Sequence, residues 1–161
     1  MSDRTSRRQA GVLVPLFSFP STSSWGIGDI GDLAPMAAWL SAAGQRLLQL
    51  LPLNEMAPGQ HSPYSAISAM AIDPIFIRVT DVPEFVDLGG ERALDSGDRE
   101  RLAVARGASR VDYANVRPVK QRALRAAYSR FVDAEWARDS RRAKAFRRFV
   151  AAQAWWVEDY A

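Results

Sequence analysis

"DLAPMAAWLSAAGQRLLQLLPL", residues 32–53, is the stretch whose reading decides the fold. Asp32 can cap the first amides of a helix, Pro35 is tolerated in its first turn, and Gly44 supplies a stop. Leu33, Met36, Ala37 and Leu40 then form one apolar stripe at helical spacing over 32–43. After the glycine, 47–51 is nearly continuous in apolar residues, as a strand covered on both faces is. Upstream, "VLVPL" at 12–16 reads as another buried strand. Strand, helix and strand in this order predict a right-handed βαβ unit with parallel pairing. A third strand is expected at 75–77, "IFI". The fold class is therefore α/β.

From about residue 82 the texture turns helical. "EFVDLGGERALDSGDRERLAVARG" reads as short helices broken at Gly89-Gly90 and Gly107. A longer helix is expected to begin near Pro118, with Leu124, Ala127, Tyr128 and Phe131 on one face. A last helix from about Ser140 is expected to bury Phe146, Phe149, Val150, Trp156 and Tyr160. No internal repeat and no low-complexity segment interrupts the chain.

Composition narrows the chemistry. Hydrophobic residues at 48% and charged residues at 24% are ordinary for a globular domain with a genuine core. The absence of cysteine excludes disulfides and thiolate metal sites, and one histidine leaves zinc only carboxylates to lean on. No cofactor is expected. Arg7-Arg8 before an apolar run imitates a twin-arginine export signal, but the run is short and broken by Pro15. Residues 1–9 are expected to be a disordered tail. No segment reaches the roughly 20 apolar residues of a membrane span. The expected location is cytoplasmic, with no membrane partner.

Charge is uneven. Residues 117–148 carry eleven basic side chains against Asp133, Glu135 and Asp139. Such a run can bind nucleic acid, and it is also what the solvated faces of helices look like. The basic residues lack the interleaved exposed aromatics of single-strand binders, so no nucleic-acid partner is expected. "GIGDIG" at 26–31 matches the glycine pattern of dinucleotide-binding folds. However, the glycines come too late after the strand, and Asp29 and Asp32 would stand where a pyrophosphate belongs. Glycines that let a loop pass close over the strand ends, with Asp32 as a helix cap, are the better reading.

The candidate site follows the second strand. "GQHSPYSAISAMAIDP", 59–74, places the only histidine and a Ser-Pro-Tyr-Ser on a polar loop directly behind a buried strand. Binding chemistry tends to sit on such loops. Pro, Ser and Gly also simply make turns, and Tyr64 could be covering core. Asp73 before Pro74 is expected to order the turn into the next strand. Trp25 could stack on a ligand, though core cover is the better reading.

Taken together, "GVLVPLFSFPS…WGIGDIGDL", "AAGQRLLQLLPLNEMAPGQHSPYSAISAMAIDPIFI", "VDYANVRPVKQRALRAAY" and "WWVEDYA" resemble the 4-α-glucanotransferases, also called amylomaltases or disproportionating enzymes. The resemblance runs in order from Ala10 to Ala161, and "LPL…SPY…SA.A..P" is its most specific element. It implies a (β/α)8 barrel with helical insertions that moves a segment of an α-1,4-glucan to another sugar hydroxyl. On that basis 10–81 would open the barrel and 82–161 would be a helical insertion subdomain. By the same resemblance Ser62 and Tyr64 line the sugar cleft. His61, Asn54 and Glu55 on that loop are further candidate substrate contacts, open between contact and scaffolding. Trp-Trp-Val-Glu-Asp-Tyr-Ala is an odd ending for a folded domain, and the family's catalytic carboxylates match nothing up to Ala161. The expectation is an amino-terminal fragment with an incomplete barrel, inactive alone. Two other readings stay open: a non-catalytic glucan-binding module, and a basic helical module for nucleic acid.

Overall fold

The computed structural model describes residues 9–19, 21–57, 59–60 and 62–160. The expected tail falls, except for Gln9, outside the described residues, and so does His61.

β1 (Gly11–Val14) pairs in parallel with β2 (Leu47–Leu50), Val12 opposite Leu48 and Leu13 opposite Gln49. Between them runs α1 (Leu33–Ala42). The βαβ unit read from the sequence is therefore present. Its entry differs in one detail. The Asp29 carboxylate accepts from the Gly31 amide at 2.9 Å, while the Asp32 carboxylate turns back onto the Asp29 amide at 2.9 Å. The pair makes a capping box over a short 3-10 turn, Ile30–Asp32, so Asp29 rather than Asp32 caps the forward amide. Gly44 ends the helix at φ +76° as its position predicts. Of the expected stripe, Leu40 is buried, Leu33 and Met36 are half-buried, and Ala37 is exposed.

Three sequence expectations are corrected. The strands are not covered on both faces: Val12, Leu13 and Leu47 are exposed, Leu13 by 57%. Residues 75–77 are not a strand. Pro74–Phe76 is a 3-10 turn whose cap, Asp73, accepts from the Ile75 amide at 3.0 Å, and Pro74 fixes the φ that such a turn needs. Asp73 thus orders a turn as expected, but not one that enters a strand. The aromatic residues of the last segment are not buried either, with Phe149 exposed by 53% and Phe146 and Tyr160 also exposed.

The helical part contains α2 (Pro83–Asp87), α3 (Ser96–Gly107), α4 (Tyr113–Phe131), α5 (Arg141–Ala152) and α6 (Ala154–Tyr160). α4 begins five residues before Pro118, because Asp112 caps it by accepting from the Asn115 amide at 3.2 Å. Pro118 then removes one ladder bond in the second turn without ending the helix. Its buried positions are Val116, Val119, Lys120, Ala123 and Ala127, a face rotated from the expected one, and Tyr128 points outward. α5 starts as expected after Ser140, whose hydroxyl accepts from the Ala143 amide at 3.1 Å.

Two apolar clusters hold these pieces together. One contains Trp25, Val79, Phe85, Leu94, Leu102, Val119, Ala123 and Ala127, so Trp25 is core. The other gathers Leu16, Phe19, Ile27, Ile75, Phe76, Ala105 and Val116. Both mix residues from either side of residue 82, and α4 contributes to each. No described helix is long and apolar enough to cross a membrane.

Candidate functional site

The chain leaves β2 at Leu50 and returns at Asp73 as an irregular antiparallel excursion. Four backbone bonds rung its two arms: Asp73 to Leu53 at 2.8 Å, Glu55 to Ala71 at 3.2 Å, Ile67 to Glu55 at 2.9 Å and Ala57 to Ser65 at 3.1 Å. Asn54 and Ile72 face each other, as do Met56 and Ala66. Because β2 is parallel to β1, this excursion stands at the carboxyl end of the strand pair.

Its tip carries Ser62 and Tyr64. Gly59 takes φ +77°, a left-handed turn that a side chain would disfavour, and the Ser65 amide closes on Ser62 O at 3.0 Å. The Ser62 hydroxyl accepts from the Tyr64 amide at 3.4 Å, which holds these two residues in fixed relation. The Tyr64 ring is exposed by 74%, so it covers no core. A tyrosine so placed presents a flat apolar face and a phenol to solvent.

Asn54 and Glu55 sit lower, on the arms. The Asn54 amide nitrogen donates to Ala71 O at 3.3 Å and so braces the excursion. The Glu55 carboxylate accepts from the Tyr160 hydroxyl, linking the loop to α6. Burial, and then the bond to Glu55, push the Tyr160 phenol up to about 12. Glu55 also walls a groove of about 460 Å³ against α4, together with Met56, Gln60, Tyr113, Arg117 and Gln121.

At the root stands Asp73, wholly buried. Arg117 of α4 grips it with two bonds, Nη1 to Oδ1 at 3.0 Å and Nη2 to Oδ2 at 2.7 Å. That bond to Asp73 raises the Arg117 pKa. One turn on, the buried Lys120 ammonium donates to Ile75 O at 2.7 Å and Ile77 O at 2.9 Å. Burial lowers its pKa to about 8. Neither cation stood out in the sequence. Lys120 was signalled by its spacing from Val116 and Ala123 on a helix face, and Arg117 only by the need of a buried acid for a partner.

The glycines of 26–31 are packing devices. A Cβ on Gly28 would lie 2.1 Å from Leu16 O, and Gly31 lies under the Arg78 guanidinium. Arg78 bonds both carboxylates nearby, Asp29 at 2.8 Å and Asp32. Burial raises the Asp29 pKa against the pull of Lys120 and Arg78. An open groove of about 760 Å³ beside this loop is lined by Phe17, Ser21, Ser24, Arg106 and Arg110 and holds none of the candidate residues. Among the described residues, six of the eleven basic side chains in 117–148 make internal bonds: Arg117 and Lys120 as above, Arg122 to Asp98, Arg142 to Glu84, and Lys144 and Arg147 to Asp139. Among the described residues no group of three or more His, Cys, Asp or Glu could hold a metal.

A family model described as 4-alpha-glucanotransferase matches residues 14–161, nearly the whole chain. The chain belongs to the 4-alpha-glucanotransferase family. A glucanotransferase of Chlamydia pneumoniae is 31% identical over 150 residues, which is 93% of this chain and 27% of that relative. One of Mycobacterium bovis is 39% identical over 92 residues, 51% of this chain and 13% of its own length. Among solved structures, the amylomaltase of Corynebacterium glutamicum superposes with a TM-score of 0.63 at 33% identity. That match covers 74% of this chain and 18% of the amylomaltase. The chain thus spans about a quarter of the length of the Chlamydia relative.

Proposed function

We propose that this chain is the front of a cytoplasmic 4-α-glucanotransferase, with residues 10–81 opening a (β/α)8 barrel and 82–161 forming a helical insertion. In that role it binds an α-1,4-glucan, a maltooligosaccharide or starch-like chain, beside the bond to be transferred. The observation that carries the reading is Tyr64, exposed with Ser62 on the loop behind β2 in a chain of this family. Loops at the carboxyl ends of barrel strands build the active sites of such folds. A pyranose ring would lie on the Tyr64 face, and the Ser62 and Tyr64 hydroxyls would bond its hydroxyl groups.

Retaining transfer between sugars needs a nucleophilic carboxylate and an acid/base carboxyl about 5 Å apart. Here Asp73 is held by Arg117 and Glu55 accepts from Tyr160, so both are engaged in holding the loop. By the family resemblance the catalytic pair is assigned to segments other than 1–161, and residues 1–161 alone are expected to transfer nothing. The test is maltotriose disproportionation by a polypeptide in which residues 1–161 replace the matching segment of the Corynebacterium amylomaltase. Tyr64→Ala should cut kcat/KM roughly fivefold or more, for about 1 kcal/mol of lost ring contact. An active chimera indifferent to Tyr64→Ala would remove Tyr64 from the cleft.

A further inference from the structure

We propose that Arg117 is a positioning residue for the Ser62–Tyr64 tip, acting through Asp73 at the root of the loop. The excursion 51–73 buries little apolar surface of its own. Met56 and Ala71 are its only buried hydrophobic residues among those described, while Ile67, Met70 and Ile72 are exposed. A segment so poor in apolar contacts has little local stability from packing. Its four backbone rungs fix one arm against the other, while Leu53, packed against the second core, and the Glu55 bond to Tyr160 tie the pair to the body at single points.

Asp73 makes the connection at the root, and with two charge-assisted bonds it is the one that sets an orientation. Its amide donates to Leu53 O at 2.8 Å, closing the loop, and its carboxylate holds both the Ile75 amide and the Arg117 fork. With Asp73 wholly buried, removing the guanidinium would leave its carboxylate without the charged partner that holds it in place. The planar fork sets an orientation as well as a distance, which a single ammonium does not. Arg117 in turn rides on a firm element, because Val116, Val119, Ala123 and Ala127 of α4 are buried in the two cores. Losing the fork should therefore free the loop while α4 stays folded. The consequence for binding rests on the reading of Tyr64 as a glucan contact; the consequence for the loop does not.

The test uses the 161-residue chain in three forms, wild type, Arg117→Met and Arg117→Lys, with amide exchange and maltoheptaose titration on each. In Arg117→Met the amides of Ala57, Ser65, Ile67 and Asp73 should exchange at least tenfold faster, with Ala123 of α4 unchanged. Arg117→Lys, which keeps the charge but not the fork, should recover part of that protection. Maltoheptaose affinity should fall about tenfold in the Met variant and partly return in the Lys variant. Loop amides that keep their protection overturn the proposal. So does a rise shared equally by Ala123, since that marks only a general stabiliser. If Arg117→Met does not fold, the same comparison is read from Arg117→Lys. A wild-type chain indifferent to maltoheptaose overturns the glucan reading, and the exchange pattern still decides for or against Arg117.

Discussion

Lys120 makes stability rise with pH where most proteins are indifferent to it. Its ammonium is buried, and burial outweighs the attraction of Asp29, Asp32 and Asp73, with Arg78 opposing them. The folded pKa is about 8 against an ordinary 10.5. A folded pKa below the unfolded one favours the native state when the group is neutral. That stability is complete above 10.5 and is lost as pH falls to about 8. Between pH 8 and pH 10 the gain is about 2 kcal/mol, at 1.36 kcal/mol per unit of pKa difference. As pH nears 10 the phenols of Tyr113 and Tyr160, both pushed up in the fold from an ordinary 10, begin to work the other way and take back part of the gain, so the rise should peak near there. The background is clean, since the chain's other lysine is the exposed Lys144. Urea unfolding at pH 8, 9 and 10 reads the effect, and with a slope of about 2 kcal/mol per molar the midpoint should rise by roughly 0.5–1 M once the phenols are included. Lys120→Met should flatten the profile and Lys144→Met should not. A midpoint that stays level from pH 8 to 10, or an unchanged rise in Lys120→Met, would refute the reasoning.

Two core substitutions test the packing. Phe85→Ala empties a buried ring whose centroid lies 5.7 Å from that of Trp25 at 71°, and should cost about 3–5 kcal/mol by urea unfolding; a loss under about 1 kcal/mol would mean the site collapses freely. Gly28→Ala drives a methyl against Leu16 O, a backbone atom with little room to yield. Its expected cost is about 2 kcal/mol or more, and a variant as stable as wild type would show that the loop is not pressed onto the strand end.

The legible parts of the sequence are the locally determined ones. Gly44 after an apolar stripe and an apolar run behind it gave the βαβ unit, and Ser140 gave the start of α5. The 75–77 error has a local cause and a distant one. Asp73-Pro74 already favours a capped turn, but what claims the carbonyls of Ile75 and Ile77 is Lys120, more than 40 residues on. A lysine in a helix reads as solvated, and only its spacing from Val116 and Ala123 betrays the buried face. Aromatic content misled in the same way at the end of the chain. Phe146 packs edge-on against Phe131 and Trp136, yet stays exposed, because stacking among neighbours is not burial.

What position cannot reveal is pairing. The sheet here is two strands of four residues, too small to set the register of the loops around it. That task falls to buried acids met by arginines from later helices: Asp73 by Arg117, Asp98 by Arg122 and Glu84 by Arg142, separated by 44, 24 and 58 residues. Such pairs add little net stability, since desolvation offsets much of the attraction, but leaving either member alone is costly. A wrong docking of α4 would strand two buried carboxylates at once, and one of α5 would strand Glu84. The basic run at 117–148 is thus less a surface charge than a set of addresses. The same logic explains why the Tyr64 loop, which periodicity alone leaves floating, has a definite place on the molecule.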